Sequence, residues 1–121
     1  MLNQRRLKHV ERCVRRYQRL LGLENWAIQT EFVSPVDEND SACYAACEAL
    51  PEYHQATLSF DVAHPSFGRK EPIDRLVRHE MLHVIVSPLS AEDADFREEQ
   101  VVTALERAPV WRLLEKRGKT K

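Results

Sequence analysis

The chain has 121 residues, 43% apolar and 31% charged, with a net charge of −1. That size suits one domain, and the composition is that of a globular protein with a single core. No apolar run approaches the ~20 residues of a membrane span, and MLNQRRLKHV lacks a signal peptide's apolar centre, so the expectation is a cytoplasmic protein without a membrane partner.

Charge is unevenly distributed: residues 1–21 carry a balance of +6, residues 112–121 one of +4, and the 90 residues between them −11. Basic ends on an acidic body suit an anionic partner, or a solvated helix face and a frayed tail. The plainer second reading is preferred, which ranks nucleic acid below peptide as a partner. Three cysteines, Cys13, Cys43 and Cys47, make an odd set and argue for reduced thiols over a disulfide framework. The CxxxC pair falls in a segment read as strand, where the two thiols would be ~13 Å apart, so small buried side chains are expected in place of a joint metal site.

In chain order, Leu7, Val10, Val14, Tyr17, Leu20 and Leu21 recur at helical spacing from Asn3 to Leu21, with arginines opposite and Gly22 placed to end the helix. Trp26, Ile28, Thr30 and Phe32 then alternate with Ala27, Gln29 and Glu31 as in a half-buried strand. Pro35 and the turn-forming DENDS close it. Ala42 to Leu50 reads as a short strand between that turn and Pro51, although its alanines favour helix. Gln55 to Asp61 alternates again, with Ala56, Leu58 and Phe60 on one face. Ile73 to Val86 follows Pro72 and precedes Pro88, a helix bounded by proline at both ends. Ser90 and Asp93 start a last helix whose stripe is Ala94, Val101, Val102, Leu105 and Ala108. Residues 109–121 form a tail with Trp111, Leu113 and Leu114 to pin its start.

The chemistry is concentrated in IDRLVRHEMLHVIV. His79 and His83 are four residues apart, so on a helix they stand one turn above each other and can share one metal ion. Glu80 between them is placed to handle a proton of the attacking water. A shuffled chain of this composition contains HExxH with a probability of roughly 0.02, so context decides; here the histidines sit among Leu76, Val77, Met81, Leu82, Val84 and Ile85, where unpartnered polar rings are costly. One Zn²⁺ is the working expectation.

A third ligand is needed, and no histidine or cysteine follows His83. A carboxylate on the next helix, or His54 or His64 from the loops, remains; the carboxylates are Asp93, Asp95, Glu98 and Glu99. The histidine midpoint lies ~10 Å before Pro88, so an antiparallel partner falls near Glu98, which also centres the apolar stripe. Glu98 is preferred, with Glu99 as the alternative.

HExxH followed by a glutamate helix resembles the gluzincin metallopeptidases. The α-β-β-β-α-α layout is similar to the minimal zincin-like domains of phage and prophage proteins and their SprT-like relatives. LGLENWAIQTEF, VRHEMLHVIV and EEQVVTAL carry the likeness, over about residues 3 to 108. It implies one α+β domain spanning 1–121: a zincin-like fold with an N-terminal helix, a three-stranded, mainly antiparallel sheet, and two site helices. It further implies peptide-bond hydrolysis, with Gln55 to Asp61 as the edge strand aligning a peptide or protein substrate. Tyr53, His54 and His64 are the candidate donors to the tetrahedral oxyanion. A different class of function stays open: a zinc-stabilised interaction module without turnover, binding a protein or nucleic acid.

Overall fold

The computed structural model describes residues 4–87, 102–106 and 111. Helix α1 spans Gln4–Leu20 and buries Val10, Val14 and Tyr17 of the expected stripe, together with Cys13 and Gln18, while Leu7, Leu20 and Leu21 are partly buried against the core. Its end is built around Gly22, whose φ of 70° is the left-handed conformation that favours glycine. The Leu23 N–H there returns 2.8 Å to the Gln18 carbonyl. The buried Gln18 side chain adds a second closure, its Nε2 donating to the carbonyls of Leu23 and Trp26, both at 3.0 Å.

Three strands follow: β1 (Ala27–Phe32), β2 (Ala45–Leu50) and β3 (Gln55–Phe60). Their order in space is β1-β3-β2. β3 pairs parallel with β1, Ile28 opposite Ala56 and Phe32 opposite Phe60, and antiparallel with β2, Ala45 opposite Phe60 and Leu50 opposite Gln55. The sheet is therefore mixed, not mainly antiparallel: β3 passes the hairpin partner β2 and inserts beside β1. The same order corrects the expected substrate edge. Gln55–Phe60 is the central strand, paired on both sides, and among the described residues the free edges belong to β1 and β2.

The two-residue period sets the layers. Ile28, Ala56, Leu58 and Phe60 are buried on one face, whereas Gln29, Glu31, Gln55 and Glu48 are exposed on the other. The covering layer is α1 and α2 (Ile73–Val86), which pack on each other, and among the strands α2 lies mainly along β2. α2 starts after Pro72, which takes an extended ψ of 146° as N-cap, and carries Asp74 in its first turn, where the helix dipole favours an acid. Asp74 ties the helices together: its Oδ2 accepts from Tyr17 Oη at 3.0 Å and its Oδ1 from Arg16 Nη1 at 3.2 Å. Trp111 is buried edge-on to Tyr17 with centroids 5.9 Å apart, and Arg78 lies 5.1 Å from its ring centroid.

Cys13 is buried, but Cys43 and Cys47 are only half buried. Cys43 also precedes β2, so the pair does not share a strand as expected. All three are free thiols. Among the described residues no helix is long and apolar enough to cross a membrane.

Candidate functional site

α2 presents the whole HExxH segment. One turn of separation brings the rings of His79 and His83 to 5.0 Å between centroids, edge to face at 68°. Glu80, one residue on, is 6% exposed, a depth at which a carboxylate is normally found only with a partner or a task. Residues 102–106 are helical, with Val102 fully buried, and they bring in a group that sequence reasoning missed. Glu106 Oε1 lies 3.0 Å from His79 Nδ1, with the two side chains 10% and 18% exposed. An Nδ1–H donating to that carboxylate leaves Nε2 as the nitrogen with the lone pair. The second oxygen, Glu106 Oε2, is buried without a hydrogen-bond partner among the described residues.

These groups face a cavity of about 250 Å³ whose walls are Ala42, Cys43, Tyr44 and Ala45 from the entry to β2, Glu71 and Leu76, and His79, Glu80 and Glu106. Tyr44 Oη donates to Glu71 Oε1 at 2.9 Å. Burial first, then the Glu71 hydrogen bond and charge and the Glu80 charge, push the phenol up to about 12, so Tyr44 is a neutral donor. Burial likewise raises the Cys43 thiol, against the lowering effect of a backbone hydrogen bond from Ala45. Among the described residues the cavity wall holds three carboxylates, Glu71, Glu80 and Glu106, and no lysine or arginine.

The three expected oxyanion donors are elsewhere. Tyr53 is 69% exposed in the 3-10 turn Pro51–Tyr53 that joins β2 to β3. That is the far end of strands whose near end, Ala45, lines the cavity, ~17 Å away at 3.3 Å per residue. His54 follows at a φ of 51°, stacked on Trp26 at 5.3 Å, with its carbonyl accepting from the Ala27 N–H. His64 packs on Tyr44 at 5.2 Å, but its ring is committed: Nδ1 accepts from Ser66 N at 3.0 Å, so Nε2 donates to the Ser41 carbonyl at 2.8 Å.

Glu98 and Glu99, with Asp93 and Asp95, lie outside the described residues. Among the described residues no three His, Cys, Asp or Glu side chains converge as a metal-ligand set. The signal that could have found Glu106 is its position four residues after Val102 on the same helical stripe. Tyr44 had no signal beyond being an aromatic residue between a turn and an alanine-rich strand. Compared with protein-family models, with curated proteins and with solved structures, the chain finds no match.

Proposed function

We propose that the chain is a zinc-dependent peptidase of the zincin kind, with His79 and His83 as ligands, Glu98 or Glu99 as the third, and Glu80 as the general base. The observation that carries this reading is the bond from His79 Nδ1 to Glu106. A carboxylate on the outer nitrogen of a histidine is the usual way of fixing a ligating imidazole's tautomer and orientation. What supports zinc is two imidazoles one turn apart, the donor type it takes, with a buried acid between them and the orphaned Glu106 Oε2 at the cavity wall. When bound, zinc would polarise the scissile carbonyl and acidify the attacking water.

The chain's own residues supply the rest. Glu80, beside the cavity, takes a proton from the water as it attacks and returns it to the departing amine. The Tyr44 phenol, neutral at working pH, turns from Glu71 to donate to the oxygen on which negative charge develops. β2 is the sheet edge next to α2 and ends at the cavity, so an extended peptide would add along it.

Two measurements test the proposal. Purified protein should hold about one equivalent of zinc, lost in His79→Ala and kept in Glu80→Gln, and only the parent should cleave a denatured protein substrate. Protein that neither binds zinc nor melts higher in its presence overturns the site. Zinc binding without cleavage by the parent would make the chain an interaction module.

A further inference from the structure

α1 has a second use. Its solvent face carries Lys8, Arg12, Arg15 and Arg19 against the single acid Glu11, with Arg16 at the margin tied to Asp74, and with the β1 edge at Ile28 to Thr30 it encloses an open groove of about 910 Å³. Lys8, Arg12, Arg15 and Arg19 are exposed. The core-facing residues of α1 alone would not require this arrangement, since neutral polar side chains solvate a helix equally well.

We propose that this groove is a docking surface for the sugar-phosphate backbone of double-stranded nucleic acid. Three features favour that occupant. The cations recur every three or four residues, so at 1.5 Å per residue they form a straight row ~16 Å long, suited to a polymer with regularly spaced charges. Three of the four exposed cations are arginines, whose fork grips phosphate oxygens two at a time. Among the described residues the lining includes no aromatic side chain and Ile28 as its one aliphatic. A protein partner would need apolar anchors, and a single strand would need rings on which to stack its bases. Arg15 also holds the groove together, its Nη2 donating 3.0 Å to the Ile28 carbonyl on the free edge of β1 and its Nη1 2.6 Å to Gln18 Oε1. That contact occupies an edge acceptor that would otherwise invite another strand.

The surface is independent of the α2 site, and its test needs no catalysis. The intact protein is titrated into a labelled 20-base-pair duplex, followed by anisotropy between 50 and 200 mM NaCl. Four phosphate contacts predict a slope of log K on log salt of about −3.6, close to a 100-fold loss over that range. Arg12→Gln with Arg19→Gln should make the slope shallower by about 2, and Lys8→Glu, Arg12→Glu and Arg19→Glu together should weaken binding at least 100-fold. Circular dichroism checks that both variants fold, and the neutral pair decides if the reversed triple does not. No duplex binding at 50 mM salt, an unchanged slope in the glutamine pair, or equal affinity for a poly-glutamate of matched charge overturns the proposal, the last by making the groove a site for acidic polypeptide.

Discussion

Glu106 Oε1 and His79 Nδ1 are 3.0 Å apart, joining residues 27 positions distant in sequence across the cavity wall. If this bond orients a ligand, Glu106→Ala should weaken zinc binding 10- to 100-fold, as removing such outer partners usually does. Glu106→Gln keeps an acceptor and should lose less. Chelator competition measures both, and wild-type affinity in Glu106→Ala would sever His79 orientation from Glu106.

The tie between Asp74 and Tyr17 sets where α2 sits on α1, and so the height and rotation of His79, five residues or ~7.5 Å further along. Tyr17→Phe should cost about 1 kcal/mol and Asp74→Ala about 1 to 3 kcal/mol, because Asp74 also accepts from Arg16. The Arg16 contact is the weaker share, its partners being 24% and 32% exposed. Urea unfolding of both single variants and the double should show a coupling of at least ~0.5 kcal/mol; strict additivity would show the bond to be incidental.

How far these features could be read from the residues alone follows from the range of the interactions. Periodicity and turn chemistry are local, so Leu7 to Leu21, the alternation through Phe32 and Phe60, and the proline-bounded helix predict elements whose ends match the observed ones to within one residue. Strand order is not local. Nothing in QATLSF says that it pairs with both neighbours, because buried alternation looks the same in an edge and a central strand. The site divides the same way: His79, Glu80 and His83 share one helix and were legible, whereas Glu106, Tyr44 and Glu71 reach the cavity from three other segments. Tyr53 and His54 were candidates by side-chain chemistry alone, yet the length of the hairpin carries them to its opposite end.

Gln18 closes α1 with its side chain, donating to two carbonyls and accepting from Arg15 while only 8% exposed. Gln18→Leu keeps the volume but withdraws the donor from the carbonyls of Leu23 and Trp26. Leaving such groups without it should cost about 2 kcal/mol, or roughly 8 °C in melting temperature for a domain of this size. An unchanged melting temperature would mean that solvent replaces the amide without loss.

Cys13 gives the chain an alkaline weakness. Its thiol is buried, with Sγ 3.9 Å from both Asp74 Oδ1 and His9 Nε2. Burial first, then the Asp74 charge, raise it from 9.0 to about 11, against the opposing charges of Arg16 and Arg12. Between those two values the unfolded chain has released the proton and the folded one still holds it, so stability falls as pH rises; below pH 9 both states are protonated and the group is silent. Cys13→Ala removes the titration. Its urea stability should therefore fall less than the parent's from pH 9 to 11, by on the order of 2 kcal/mol, whatever constant penalty the lost sulfur adds. Parallel stability curves over that interval would mean that the thiol ionises in the folded protein as readily as in the unfolded one.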